Sequence, residues 1–183
     1  MIITNNNFED MTHTTVKFLK TRDVKSPVRG TGEAAGIDFF VPNFSADFLV
    51  DLIKKNPGIE VTITDNMYIS IKPQHRVLIP SGIHTWMVPG TALIAANKSG
   101  VATKKGLVFG AQVVDSDYAG EVHISVINTT DAPVVIACGD KLIQFIHTPV
   151  LLSPLEEVDN DAFDKLHDAS ERGAGGFGST GTK

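Results

Sequence analysis

The fold is decided by the stretch Gly110-Ala111-Gln112-Val113-Val114-Asp115-Ser116-Asp117-Tyr118-Ala119-Gly120-Glu121, in which a short acidic turn lies between two β-type runs. These runs extend from Leu107 to Val114 and from Glu121 to Ile127. Asp, Ser and Gly are common turn residues, and β-branched residues on both sides favour strands. The stretch is therefore predicted to form a β-hairpin, although a plain solvent-exposed turn would carry the same residues.

Comparable runs recur along the rest of the chain, with turn residues between them. Many short strands separated by turns are typical of a sandwich or barrel, so the sequence predicts an all-β fold. The other predicted strands are Thr15 to Leu19, Gly36 to Val41, Glu60 to Thr64, Tyr68 to Lys72, Arg76 to Ile79, Thr91 to Ala95, Val134 to Ala137 and Leu142 to Ile146.

One stretch departs from the strand pattern and predicts a single surface helix inserted between strands. Ser45 is a suitable N-cap, and Pro57 with Gly58 would end the helix. The spacing of the apolar side chains places four of them on one helical face. These four residues are Phe48, Leu49, Leu52 and Ile53.

The composition fits one compact domain in a reducing cytoplasm. The 183 residues include 42% hydrophobic residues, which is enough for a sizeable core. The formal net charge of -5, without a long basic run, argues against binding to a nucleic-acid polymer. Cys138 has no second cysteine to pair with, and the N-terminus lacks the pattern of a signal peptide. The longest apolar runs are too short to span a bilayer, and the histidines lack the spacing of a zinc site.

Two side chains of the central stretch could act together on a substrate. Tyr118 offers a flat ring and Asp115 a carboxylate at the mouth of the predicted hairpin. A pocket at this place could hold a sugar against the ring while the carboxylate activates a water molecule.

Other polar residues suit phosphate or a charged partner. Lys98, Ser99 and Gly100 follow an apolar strand, where a turn can present N–H groups to phosphate oxygens, although Lys-Ser-Gly is common in surface loops. Gln144 is polar among apolar neighbours, which fits an edge position, a ligand-facing amide or a solvent-facing amide equally well. Asp38 lies inside a predicted strand and is expected to pair with an arginine or to order a neighbouring loop.

The C-terminal segment from Glu171 to Gly181 is rich in glycine and carries Arg172 and Phe177. Glycines let main-chain N–H groups approach a ligand, arginine binds phosphate as a planar fork, and the ring offers an apolar face. These features suit a nucleotide, whereas composition alone would also fit a solvent-exposed linker. Residues 159–183 are predicted to leave the core as an arm.

Together and in this order, these segments resemble the five motifs of the trimeric dUTP pyrophosphatase family (dUTPase, deoxyuridine 5'-triphosphate nucleotidohydrolase). The resemblance implies a dUTPase-like distorted jelly-roll, or β-clip barrel, over residues 1–158, with one inserted helix. It also implies an arm over residues 159–183 that closes over a neighbouring active site. The matching segments are Ala35 to Phe39, Lys98 to Ala102 with Gly106, Val114 to Glu121, Gly139 to Phe145 and Arg172 to Gly181.

The resemblance implies hydrolysis of dUTP to dUMP and pyrophosphate, which limits uracil in DNA and supplies dUMP for dTMP synthesis. Asp115 is then the general base, which takes a proton from the water that attacks the α-phosphorus. Tyr118 packs against the deoxyribose and excludes a 2'-hydroxyl, and Phe177 covers the base. The main-chain groups implied to read uracil belong to Gly110, Ala111, Gln112, Val113 and Val114.

The same resemblance implies how the triphosphate is held. Mg²⁺ is the implied cofactor, bound by the substrate's phosphate oxygens and water with no direct protein ligand. Asp38 is implied to support the site structurally. The implied phosphate-binding residues are Lys98, Ser99, Gly100, Gln144, Arg172, Gly178, Ser179 and Thr180.

Three features differ from the usual family pattern. Lys98 stands where an arginine is usual, so a planar bidentate contact becomes a point charge. Gln112 occupies a position that is often glycine. Residues 43–74 are longer than in compact members and are interpreted as a surface insertion that could bind a protein partner. The lysine and the insertion are compatible with a phage-encoded member, which would work in the host cytoplasm.

Two alternative functions use the same fold. A dCTP deaminase would need a glutamate on the strand after the hairpin, where this chain has Ser125, and serine cannot act as that acid-base group near neutral pH. A nucleotide-binding regulatory protein could signal through the insertion. Retention of Asp115, Tyr118, Arg172 and Phe177 together favours catalysis.

The resemblance further implies a homotrimer in which three chains build each active site. The uracil-reading segment would come from one chain, Lys98, Ser99 and Gln144 from a second, and the arm from a third.

Overall fold

The computed structural model describes residues 15–62, 68–167, 170 and 173. In these residues β-strand is the main regular secondary structure, which confirms the predicted all-β class. The strands are β1 (Lys17–Lys20), β2 (Val28–Arg29), β3 (Gly36–Asp38), β4 (Glu60–Thr62), β5 (Tyr68–Ile71), β6 (Arg76–Trp86), β7 (Thr91–Asn97), β8 (Leu107–Phe109), β9 (Val113–Asp115), β10 (Glu121–Asn128), β11 (Val134–Ala137) and β12 (Ile143–Pro149).

The described strands form three antiparallel groups. One sheet has the order β1-β6-β10-β8, a second has the order β2-β3-β12-β7-β9, and a small third sheet has the order β11-β5-β4. Fully buried side chains of the first two sheets include Ile79, Ile124, Leu93 and Phe145. The ring of Phe145 packs on that of Phe39 with centroids 4.7 Å apart. This is the core of the predicted jelly-roll.

The predicted hairpin at residues 107–127 is wrong in one respect. The first run is not continuous, because β8 ends at Phe109 and β9 begins at Val113. β8 pairs with β10, whereas β9 pairs with β7 in the other sheet. The chain therefore changes sheets across residues 110–112. Local β propensity could not indicate this change, because both halves of the run favour strand equally. β2 was also missed, since it has only two residues.

The predicted helix is present as α1 (Ala46–Lys55). The Ser45 side chain accepts a hydrogen bond from the Phe48 N–H at 3.2 Å, which confirms the N-cap. Phe48 and Leu52 are fully buried, whereas Ile53, which helical spacing places on the same face, is 50% exposed.

The described residues contain two further helices that the sequence did not predict. They are α2 (Ser99–Lys105) and α3 (Asn160–His167). α2 replaces the turn expected after the apolar strand β7, and it ends at Gly106, whose φ of 63° is the left-handed conformation that favours glycine.

The chain divides into two compact units, Met1–Leu151 and Leu152–Lys183. The first unit holds all the described strands and helices α1 and α2, and the second holds α3. Within the part of the chain described here, none of the helices has the length and apolar character needed to cross a membrane.

Candidate active site

A pocket of about 200 Å³ opens beside the point where the chain changes sheets. Six of the residues predicted to bind the nucleoside or to act on it line this pocket. Sequence reasoning missed three other lining residues, Val122, His123 and Phe145, because their positions look like ordinary strand positions. The predicted lining residues are Ala111, Gln112, Val113, Val114, Asp115 and Tyr118.

The main chain of β9 is well placed to read a planar polar ligand. β9 is the last strand of its sheet, with β7 on one side. An edge strand presents N–H and C=O groups that its own sheet does not use. Gly110 differs from the other predicted base-reading residues, because its N–H already donates to the Ser125 carbonyl at 2.9 Å and it does not line the pocket. Among the described strands, residues 111–114 therefore lie at a sheet edge beside the pocket, although the Gln112 carbonyl already accepts the Ala95 N–H at 2.7 Å.

Tyr118 is held in one orientation at the pocket wall. Its hydroxyl donates to the carbonyl oxygen of Glu121 at 3.1 Å, and its main-chain N–H donates to the carbonyl of Asp115 at 3.2 Å. A Cβ on Gly120 would overlap the phenol ring, so glycine is needed there for the ring to lie flat over the main chain. Tyr118 is 44% exposed and lines the pocket, so part of the side chain is accessible to a ligand.

Asp115 is the last residue of β9 and lies exposed at the pocket, opposite Ala92 of β7. A carboxylate at this place can accept a proton from a water molecule. The structure thus places the Asp115 carboxylate and the Tyr118 ring, which the sequence predicts to act together, at the same pocket.

The buried carboxylate of Asp38 pairs with two lysines. Its Oδ1 lies 2.5 Å from Lys98 Nζ and its Oδ2 lies 3.0 Å from Lys141 Nζ. The prediction of an arginine partner for Asp38 was wrong, because both of its ion-pair partners are lysines. Burial by itself would raise the pKa of Asp38, but the bonds from Lys98 and Lys141 outweigh it and hold the pKa below its ordinary value. The cluster of one carboxylate and two ammonium groups carries a net positive charge.

Gln144 lies beside this cluster on the central strand β12, between β3 and β7, so the edge position considered for it is excluded. Its Nε2 donates to the Asn97 carbonyl at 3.0 Å. A Cβ on Gly36 would overlap the Gln144 amide, so the glycine of the first motif makes room for the glutamine of the fourth.

Ser99 and Gly100 form the first turn of α2, with Lys98 as the N-cap. The first N–H groups of a helix have no partner within the helix and point out of its N-terminal end. Lys98, Ser99, Gly100 and Gln144 therefore present a cation, N–H donors and an amide in one region of the chain.

The pocket beside β9 and this polar cluster are separate within one chain. Asp115 lies opposite Ala92, whereas Gln144 lies opposite Ala96, which is roughly 13 Å farther along β7. None of Lys98, Ser99 and Gln144 lines the pocket. The remaining predicted ligands, Arg172, Phe177, Gly178, Ser179 and Thr180, lie outside the described residues.

The Asp38 ion pairs predict how stability depends on pH. The folded-state pKa is lowered, so the pairs add stability that is fully present above the ordinary pKa of aspartate and is lost as the pH falls through the folded-state value. At pH 7 we expect Asp38→Asn to lower the free energy of unfolding by about 2 kcal/mol. At a second pH, below the ordinary pKa of aspartate, the difference should be smaller, because the ion pairs lose their contribution as the pH falls towards and through the folded-state value.

Urea unfolding at the two pH values and one protein concentration measures this difference. An equal difference at both pH values would contradict the assignment of the ion pairs.

A model of the dUTPase family matches residues 57–181 of the sequence. The chain belongs to the dUTPase family. A deoxyuridine 5'-triphosphate nucleotidohydrolase of Shewanella baltica is 36% identical over 129 residues, covering 69% of this chain and 81% of the relative. The corresponding protein of Shewanella piezotolerans is 37% identical over 129 residues, which again cover 69% of this chain and 81% of the relative.

Solved dUTPase structures share the fold. The dUTPase of Staphylococcus bacteriophage 80alpha with dUPNHPP aligns with a TM-score of 0.69 at 20% identity, over 91% of this chain and 98% of its own. A mutant dUTPase from phage phi11 of S. aureus, in which a structural Mg(II) ion was described, aligns with a TM-score of 0.60 at 19% identity, over 80% of this chain and 97% of its own.

The part of the chain described here has no group of three or more His, Cys, Asp or Glu side chains placed to hold a metal ion. Asp38, the buried carboxylate nearest to the phosphate-binding residues proposed for this dUTPase, is already bonded to two lysines. These side chains therefore fit a metal ion that is bound by the oxygens of a ligand better than a metal ion that is coordinated directly by the protein.

Proposed function

We propose that this chain hydrolyses dUTP to dUMP and pyrophosphate, with Asp115 as the general base. The family and its nucleotidohydrolase relatives support the reaction. The observation that carries the mechanism is the shared pocket of Asp115, Tyr118 and the free edge of β9. Asp115 accepts a proton from a water molecule as the water oxygen attacks the α-phosphorus. The bond from that phosphorus to the bridging oxygen breaks, and pyrophosphate leaves.

The nucleoside is selected by shape and by main-chain hydrogen bonds. Uracil lies against residues 111–114, whose main-chain groups complement its polar edge and leave little space for the methyl group of thymine. The Tyr118 ring packs on the deoxyribose and excludes a 2'-hydroxyl. Because the ring is fixed by Glu121 and Gly120, it cannot move aside at little cost.

The triphosphate is bound by Lys98, Ser99, Gly100 and Gln144, with Asp38 and Lys141 supporting Lys98. Since Asp38 neutralises one of its two lysines, the cluster keeps a net charge of the sign that phosphate requires. Mg²⁺ would be carried by the phosphate oxygens of dUTP and by water, and it would supply neutralisation of part of the phosphate charge. It needs no direct protein ligand, consistent with the preference of this hydrated ion for phosphate and water.

We place the three parts of the site on three chains of a homotrimer. The dUTPase family supports this arrangement, and within one chain the pocket and the Lys98 cluster are separate regions, roughly 13 Å apart along β7. Residues 1–158 act as the β domain, and residues 159–183 act as the arm that closes over a neighbouring site. Arg172, Gly178, Ser179 and Thr180 then bind phosphate, and Phe177 covers the base.

Two further parts of the proposal concern the surroundings of the enzyme. Residues 43–74, which contain α1, carry the exposed side chains Val50 and Ile53 and could bind a protein partner. The activity belongs to the cytoplasmic nucleotide pool, in the host cell if the chain is encoded by a phage.

Pyrophosphate release from each deoxynucleoside triphosphate, with Mg²⁺ and with EDTA, tests the proposed activity. We expect dUTP to be hydrolysed at least 100-fold more efficiently than dTTP, dCTP or UTP, since a buried mismatch in a pocket costs about this factor or more. Activity should be lost in EDTA and restored by Mg²⁺. Ammonia release from dCTP, or nucleotide binding without turnover, would overturn the proposal in favour of a deaminase or a regulatory protein.

A further inference from the structure

Arg22, in the connection between β1 and β2, links α1 to the start of β10. Its Nε donates to Glu121 Oε1 at 2.8 Å, and its Nη2 donates to Glu121 Oε2 at 3.1 Å and to Asp51 Oδ2 at 2.5 Å. Asp51 belongs to α1, and Glu121 is the first residue of β10. The guanidinium also lies 5.9 Å from the ring centroid of the buried Phe48 of α1. One side chain therefore joins the inserted helix to the strand that follows Tyr118.

The Arg22–Glu121 pair is largely shielded from solvent and geometrically specific. The two side chains are 17% and 14% exposed. A bidentate arginine–carboxylate pair fixes orientation as well as distance. By contrast, Asp51 is 43% exposed, so its bond to Arg22 is weakened by solvent. The stronger part of the link is therefore the part next to the active site.

Glu121 is fixed from a second side by β6. Its Oε1 accepts the Gly82 N–H at 2.6 Å. Gly82 has a φ of 72°, and a Cβ there would lie 2.8 Å from Arg22 Cβ, so the position requires glycine. Burial by itself would raise the pKa of Glu121, but the bonds from Arg22 and Gly82 outweigh it and keep the pKa below its ordinary value. The anchor is therefore charged and intact at neutral pH.

The main chain of the same residue holds Tyr118. The Glu121 carbonyl accepts the Tyr118 hydroxyl at 3.1 Å, and the ring lies over Gly120, the residue between them. A shift of Glu121 would move the acceptor that fixes the hydroxyl end of the ring. The position of the pocket wall thus depends on a carboxylate outside the pocket.

We propose that Arg22 is a positioning residue for deoxyribose selection, which connects the inserted helix α1 to Tyr118 through Glu121. This inference rests on the proposed role of Tyr118. In this arrangement the insertion is a support for the pocket wall, and the rigidity of that wall against a 2'-hydroxyl depends on Arg22.

The test is the ratio of kcat/KM for dUTP to kcat/KM for UTP. We expect Arg22→Ala to lower this ratio about 10-fold, mainly by improving the reaction of UTP, since a loosened pocket loses discrimination of this order. Arg22→Lys keeps the charge without the bidentate geometry and should lower the ratio by a smaller factor. Asp51→Asn, which leaves the Arg22–Glu121 pair in place, should have the smallest effect. Arg76→Ala, at the exposed start of β6, is the matched control and should leave the ratio unchanged.

A double-mutant comparison tests the route through Tyr118. In a Tyr118→Ala background, Arg22→Ala should cause no further fall in the ratio. An equal further fall there, or an unchanged ratio in folded Arg22→Ala and Arg22→Lys variants, would overturn the inference. If Arg22→Ala does not fold, Arg22→Lys decides. Full discrimination in Tyr118→Ala alone would instead refute the proposed role of Tyr118.

Discussion

Asp115→Asn is expected to bind dUTP with nearly the affinity of the wild type and to hydrolyse it roughly 10²–10⁴-fold more slowly, the usual contribution of a general base. The amide keeps the size of the carboxylate but cannot take a proton from the attacking water. Because Asp115 is exposed at the end of β9, the change should leave the fold intact. Single-turnover pyrophosphate release and calorimetric titration with a non-hydrolysable dUTP analogue measure the two properties separately.

Asp117 provides the matched control for this prediction. It is an exposed carboxylate two residues farther along the same turn, and it does not line the pocket. Asp117→Asn should retain turnover within a factor of about 3, since surface substitutions have small effects. Unchanged turnover in Asp115→Asn would refute the assignment of the base.

A chain that ends after Ser170 is expected to lose hydrolysis by about 100-fold or more while its β domain remains folded. The deletion removes Arg172, Phe177 and the Ser179–Thr180 pair, and each hydrogen bond to a charged phosphate contributes about 1.5–3 kcal/mol. The described core of the first unit is formed by side chains between Val24 and Phe145. Circular dichroism and the thermal midpoint should therefore change little, whereas kcat/KM should fall.

Two companion samples sharpen the truncation experiment. Removal of only Thr182 and Lys183, beyond the fifth motif, should leave activity unchanged. Mixed trimers of the truncated chain and Asp115→Asn should regain activity, because one chain supplies the base and another supplies the arm. If refolded mixtures stay as inactive as the separate variants, or if a monomer is fully active in sedimentation experiments, the shared site is wrong.

Six of the site residues predicted from the sequence line one pocket, and they could be grouped in advance because they lie in one short motif with local signals. The Ser45 cap and the strand runs are local as well, and the structure confirms them. Ile53 illustrates the limit, because helical spacing places it near Phe48 and Leu52 but cannot say how wide the packed face is. The lysine partners of Asp38 were missed for a related reason, since Lys98 and Lys141 lie 60 and 103 residues after Asp38 in the chain, beyond the reach of any local pattern.

The sequence by itself determined the strand-rich class, the capped helix and the resemblance to the dUTPase family, because these depend on residue type and short-range spacing. Only the tertiary structure decided that β9 leaves its expected partner and joins the other sheet, which opens the pocket between Asp115 and Tyr118. It also decided that Arg22 holds Glu121 and that two lysines share Asp38. Strand pairing and ion pairing join residues far apart in the chain, and their free energy depends on which surfaces the whole fold brings together and shields from water.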